Sequence, residues 1–319
     1  GIVVLSFNLA VLMDPLETIN PKKDSTLAMM LAAQSKGWTI YFLQQSDLFI
    51  QAGVVQGNFK KLALTEALVD WYSMTGEHTA PLVTMDAVLM RKEPPFDMEF
   101  IYTTYLLEMA EKDGLTILNR PGSIRDCNEK LYALQFPQCC PPHVVTRDPS
   151  ILKAFHQEHG DVIFKPLDGM GGSSIFRVAG DDPNLNVIIE TLTDNGKQQT
   201  MAQRFIPDIV NGDTRILLIN GEPIPYGLAR IPAKGETRGN LAAGGKGVTR
   251  PLNDRDRWIC EQISPDLKAR GLYFVGIDVI GDYLTEINVT CPTCIREISK
   301  AHGIDIAGDY MDFIEGICC

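Results

Sequence analysis

Apolar residues in the first third of the chain come in short blocks, and the polar stretches between them carry helix signals. Asn8 to Met13 is an apolar run closed by Asp14 and Pro15, which predicts a buried strand. Asp24-Ser25 then caps a helix to about Lys36, with Gly37 as its stop. Strands at Thr39 to Leu43 and Ala87 to Met90 continue the alternation. A helix follows with Met98, Ile101, Tyr105 and Met109 on one stripe, and Gly114 ends it ahead of a strand at Leu115 to Leu118. Strands separated by helices predict a mainly parallel sheet, an α/β domain over residues 1–123.

The pattern changes after the turn residues Asn119 to Gly122. Ser123-x-x-Asp126 is a capping pattern for a helix holding Lys130, and the stretch from Pro137 to Pro142 reads as a connector. Short strands at Val162 to Leu167, Ser174 to Val178 and Met201 to Phe205 predict a small α+β block over 124–206. From Thr214 hairpins dominate a block over 207–319. Arg215 to Ile219 and Glu222 to Arg230 are joined by Asn220-Gly221, a strong hairpin signal. A helix at Asp254 to Arg270 and strands at Phe274 to Ile280 and Leu284 to Val289 complete the block.

Composition narrows the function. The chain has 319 residues, 45% hydrophobic and 22% charged, enough for two or three packed subdomains. The formal net charge of −11 makes nucleic acid and anionic membranes poor partners. No apolar run approaches the roughly 20 residues that cross a bilayer, so the cytosol is the expected compartment. Eight cysteines fall in adjacent pairs or alone, which predicts reduced thiols. The single C-x-x-C, Cys291 to Cys294, has no second pair or His at ligand spacing, so structural zinc is not expected.

Three stretches carry candidate chemistry. Lys165 precedes a loop with Gly169, Gly171 and Gly172, where missing side chains let backbone N–H groups approach phosphate oxygens and the lysine adds a point charge; a hairpin turn with a surface lysine is the plain alternative. In the strand holding Glu286 and Asn288 both side chains leave one face, an oxygen pair suited to Mg²⁺. Asp278 can join them only if the turn is a three-residue loop or the hairpin carries a bulge; otherwise a buried salt bridge is the competing reading. The segment from Ile231 to Gly247, with five glycines and four charged residues, is long enough to be a lid. Pairing about Asn220-Gly221 sets Arg215 opposite Tyr226 and puts Arg215 and Arg230 on one face, roughly 13 Å apart, a spacing for a substrate with more than one carboxylate.

With Lys130, Lys165, Gln203, Asp278, Glu286 and Asn288 in this order, the chain resembles the ATP-grasp ligases, and within them bacterial glutathione synthetases. The stretches MRKEPPFDMEFIY, RDCNEKL, KPLDGMGGSSIFRV, LARIPAKGETRGNLAAGGKG and FVGIDVIGDYLTEINVTCPTCIREI carry the resemblance. It implies an ATP-grasp fold: an N-terminal parallel α/β domain, a small central lid domain and a C-terminal antiparallel-sheet domain, with ATP between the last two. It also implies that Lys130 and Lys165 meet the nucleotide phosphates and base, that Gly169 to Gly172 cover the phosphates, that Gln203, Arg204, Phe205 and Ile206 meet the adenine, and that Asp213 holds the ribose. Asp278, Glu286 and Asn288 would carry Mg²⁺, with Mn²⁺ as a substitute. Arg215, Arg230 and Arg238 would bind γ-glutamylcysteine and the acyl phosphate formed from it, glycine would be the second substrate, and the protein would be a homotetramer. Contacts from the first domain stay open between Lys23 and Arg91, and Cys291 beside the metal set is either a small buried residue or an oxidation-sensitive thiol. Other ATP-grasp ligases, joining D-alanines or adding glutamate to a protein tail, share the nucleotide residues; a non-catalytic ATP-binding regulator is a further alternative.

Overall fold

A computed structural model describes residues 6–168, 172–239 and 244–319. The first unit is built on β1 (Asn8–Leu12), α1 (Ser25–Ser35), β2 (Thr39–Leu43), β3 (Leu48–Gln51), β4 (Val54–Leu64), β5 (Tyr72–Pro81), β6 (Ala87–Met90), α2 (Met98–Lys112) and β7 (Thr116–Leu118). Asp24 accepts from Leu27 N as the cap of α1, and Asp97 accepts from Phe100 N as the cap of α2. Strands β2, β1, β6 and β7 lie parallel in that order, as the alternating pattern predicts. Three further strands extend the sheet: β4 runs antiparallel to β2 and β3 on one side and to β5 on the other.

The helix at Met98 is present, but its buried face is Phe100, Thr103, Thr104, Leu107 and Ala110. The stripe of Met98, Ile101, Tyr105 and Met109 is a different face, with Met98, Tyr105 and Met109 at 53%, 47% and 38% exposure. Both faces are partly apolar, so periodicity alone could not choose between them.

Two short helices, α3 (Pro121–Asp126) and α4 (Glu129–Ala133), lead into the central unit. Ser123 does not start the helix of Lys130. Its hydroxyl donates to Arg270 O, while Asn128 caps α4 by accepting from Lys130 N and Leu131 N at 3.0 Å. The central unit comprises β8 (His143–Thr146), α5 (Pro149–His159), β9 (Asp161–Pro166), β10 (Phe176–Ala179), α6 (Leu185–Thr193) and β11 (Thr200–Arg204). Its antiparallel sheet has the order β10-β9-β11-β8.

The last unit holds β12 (Asp213–Ile219), β13 (Glu222–Pro223), β14 (Tyr226–Ile231), β15 (Lys246–Pro251), α7 (Asp254–Arg270), β16 (Phe274–Ile280), β17 (Tyr283–Asn288), α8 (Ile295–His302) and α9 (Ile306–Cys318). Its sheet runs β15-β14-β12-β16-β17, with β13 on β12. One face packs on α7 through Ile259, Ile263 and Leu267; the other shares a core with the first unit, where Leu217, Leu228 and Phe274 meet α8, α9 and α1. The first and last units are thus welded through apolar burial, and the central unit keeps its own small core of Leu152, Phe155, Val162, Phe164 and Ile189.

Candidate active site

A cleft of about 440 Å³ opens between the central and last sheets, lined by residues of β9, β11, β12, β14, β16, β17 and α4. Strand alternation decides which side chains reach it. Lys165 on β9 and Gln203 on β11 face in, as do Asp213 and Arg215 on β12 and Arg230 on β14. Phe205 and Ile206 line the same end as Gln203. Arg204 does not reach the cleft: it lies on the opposite face of its strand, donating to Tyr283 Oη at 3.0 Å.

The hairpin of β16 and β17 turns through two residues, yet Asp278 still pairs with Glu286 because a bulge follows Asp278. Thr285 is the extra residue, and its hydroxyl donates to Asp278 O at 3.2 Å. Asp278, Glu286 and Asn288 consequently share one face. Among the described residues no three His, Cys, Asp or Glu side chains group as a metal site. The oxygen set available is two carboxylates and an amide, which suits Mg²⁺ sharing phosphate oxygens and does not suit zinc.

The arginines stand closer than the hairpin signal predicts. Arg215 pairs with Leu228, and Arg230 with Asp213, a register two residues away from Arg215 opposite Tyr226. Residues 224 and 225 fall outside the ladder and supply the offset. The face is unchanged but the separation halves. Arg215 Nε donates to Asp278 Oδ1 at 2.8 Å, and Arg230 Nη2 lies 3.0 Å from the same oxygen and 3.1 Å from Asp213 Oδ2. Burial would raise the Asp278 pKa, but the two guanidinium groups outweigh it and hold the carboxyl well below the usual range. Asp213 is buried beside Asp278 and Glu286, and its carboxyl is pushed up to about 6.

Lys130 Nζ sits 2.7 Å from Glu129 Oε1 and 3.4 Å from Glu286 Oε1. Burial alone would lower its pKa; the two carboxylates reverse the sign. Burial, reinforced by Glu286, pushes Glu129 up to about 7. Lys165 is lowered by burial, with Glu286 compensating only in part. A buried lysine so placed gains from an anionic ligand. Two buried acceptors in the cleft, Gln203 Oε1 and Asp213 Oδ1, have no hydrogen-bond partner among the described residues, as donors on a ligand would require.

Arg238 holds Glu236 through a bidentate pair at 3.0 Å, pulling that carboxyl down to about 2, and its Nη1 donates to Gly172 O at 3.2 Å. The glycine-rich segment of the last unit thereby touches the loop that follows Lys165. Gly169 and Gly171 lie outside the described residues, as do 240–243 of the expected lid; residues 246 and 247 belong to β15 rather than to a loop.

Of the two residues left open in the first unit, neither lines the cleft. Arg91 is buried, donating to Thr26 Oγ1 and Pro292 O at 3.0 and 2.8 Å, while Glu93 and Pro94 form the wall. Those two and Glu129 escaped the sequence reading; adjacency to Lys130 was the available signal for Glu129. Cys291 also lines the cleft, and burial pushes its thiol up to about 11, so it stays protonated.

Similarity to known proteins matches this geometry. Residues 7–125 match the family model of the prokaryotic glutathione synthetase N-terminal domain, and 129–303 that of its ATP-grasp domain. Glutathione synthetase of Pseudomonas aeruginosa is 58% identical over 97% of this chain and 98% of its own length. That of Vibrio vulnificus is 58% identical over 96% and 97%. Among solved structures, the D-cycloserine synthetase DcsG superposes with a TM-score of 0.69 at 12% identity, covering 98% of this chain and all of that one. The ATP-grasp ligase PsnB complexed with minimal precursor gives 0.66 at 17%, covering 98% and 99%; likeness at such identities establishes the ATP-grasp fold alone. Sequence identity settles what fold cannot: the chain belongs to the prokaryotic glutathione synthetase family and is an ATP-dependent carboxylate-amine ligase.

Proposed function

We propose that the cleft condenses γ-glutamylcysteine with glycine using ATP, through an acyl phosphate. The observation that carries this reading is the convergence of Lys130, Lys165, Arg215, Arg230 and the Asp278/Glu286 pair on one cavity. The base is assigned to the end formed by Gln203, Phe205 and Ile206, where Gln203 Oε1 can accept from an exocyclic amine, and Asp213 Oδ1 can accept from a ribose hydroxyl. The phosphates extend toward Lys130, Lys165 and the loop at 169–172.

Arg215, Arg230 and Arg238 are assigned to the dipeptide and its acyl phosphate. A carboxylate oxygen of γ-glutamylcysteine attacks the γ-phosphorus as the bond to ADP breaks; the glycine amine then attacks the acyl carbon, losing a proton, and phosphate leaves. The protein's part is to align the reactants and to set fixed cations around charge that develops on oxygen. Mg²⁺ or Mn²⁺, held by Asp278, Glu286 and Asn288, would neutralise phosphate charge there.

The same reading divides the chain at 123 and 206 into three units and places it in the cytosol; no described helix is long and apolar enough to cross a membrane. A homotetramer is part of it, supported by the exposed apolar residues of α2. The test is ADP release with Mg-ATP and γ-glutamylcysteine, with and without glycine, and with D-alanine in its place. Turnover that needs both γ-glutamylcysteine and glycine is expected. Turnover only with D-alanine would keep the chemistry and refute the substrate, and ADP release indifferent to every acceptor would refute the ligation.

A further inference from the structure

We infer that Arg177, which does not reach the cleft, positions the wall against which the nucleotide base rests. Asp161 opens β9 and does two things at once. Its backbone carbonyl accepts from Phe205 N at 2.9 Å, and its carboxylate takes the Arg177 guanidinium in a bidentate pair at 3.0 and 2.8 Å. The guanidinium carbon of Arg177 in turn lies 3.7 Å from the centre of the Phe205 ring. Phe205 lines the cleft beside Gln203 and Ile206, whereas Arg177 and Asp161 are absent from its lining. The ring is therefore clamped from outside.

An exposed arginine–carboxylate pair on an edge strand ordinarily contributes little. Here the pair holds a planar cation over an aromatic face, and the fork geometry leaves that cation few alternative orientations. An aromatic ring held in one plane meets a base without first losing torsional freedom, so the clamp favours nucleotide binding by pre-organisation. It touches neither the phosphates nor the dipeptide arginines. Its influence should fall on ATP and leave the other substrates alone.

The inference rests on the base lying at the Gln203 end. Steady-state kinetics of R177A are expected to raise KM for ATP about fivefold, with kcat and the KM values for γ-glutamylcysteine and glycine within twofold of the parent. R177K, which keeps the cation and loses the fork, should fall between, and it serves as the variant of record if R177A folds poorly. F205L should raise KM for ATP as well, and adding R177A to F205L should then change nothing further, because the arginine acts through the ring. An R177A effect of the same size in the F205L background would overturn the clamp, as would an unchanged KM for ATP in R177A and R177K. If F205L too leaves KM for ATP untouched, the base does not lie at this end, which refutes the assignment beneath the inference and not the ligase activity.

Discussion

A single methyl group measures how tightly the arginine pair is held. Gly276 on β16 lies beneath Arg215, and a Cβ added there would stand 2.8 Å from both Arg215 Cδ and Pro292 Cβ. Its backbone is ordinary strand, so the demand for glycine is purely steric. G276A should displace the Arg215 guanidinium from Asp278, lowering kcat/KM for γ-glutamylcysteine by at least tenfold for a stability loss of about 1–3 kcal/mol, as read by steady-state rates and urea unfolding. Asp213 offers a pH test. Its carboxyl stands at about 6 in the folded chain against 3.8 unperturbed. The folded state thus holds that proton more tightly, and the resulting stability is full below about pH 4 and lost as pH rises through 6. D213N removes the titration, so its thermal midpoint relative to the parent should rise between pH 4 and 7. A constant difference over that range would refute the shift.

Elements show where the sequence was legible. The capped helix after Asp24 and the helix Asp254–Arg270 could be read directly, since caps and stops are local signals. The antiparallel strands β4 and β5 could not. In β4 the buried positions are Val55, Gly57 and Phe59, then Leu62 and Leu64, because a bulge after Lys61 reverses the alternation; β5 is a polar, exposed edge with no apolar rhythm. Gly57-Asn58 inside β4 imitates a turn. The hairpin of β16 and β17 went the other way: placing Asp278 opposite Glu286 required an irregularity, and the bulge supplies it. The assignment it permits predicts that E286A abolishes turnover with an unchanged circular dichroism spectrum; an active variant would remove Glu286 from the phosphate chemistry. The sequence marks Asn119 only as a turn residue and gives no sign of its buried amide, which donates to Phe274 O and Val289 O at 2.9 and 2.8 Å and accepts from Phe274 N at 2.9 Å. It joins the end of β7 to the last sheet. N119A leaves three buried backbone groups unpaired and should cost about 3 kcal/mol in urea unfolding, with KM for ATP little changed.

At the scale of the whole molecule, the apolar weld between the first and last units leaves the central unit as the part tied on by few contacts. The candidate site was legible because its residues are polar exceptions on apolar strands; its metric was not, since Pro223 and Pro225 mark an interruption of the ladder without fixing how far it shifts the pairing that draws Arg230 toward Asp278. The donation from Arg238 to Gly172 O joins the glycine-rich segment of the last unit to the loop of the central unit, and both residues line the cleft. An acyl phosphate is lost to any water that reaches it, so a covering segment should decide whether ATP is converted to product or wasted. Cleaving the chain within 231–247, or replacing Arg238 with Ala, should therefore slow ligation and raise the ratio of ADP released to glutathione formed. Both products can be measured in one reaction, ADP by a coupled assay and the tripeptide by chromatography. If the ratio stays at one while the rate falls, the segment binds substrate without guarding the intermediate; if neither changes, the Arg238 contact has no part in the reaction.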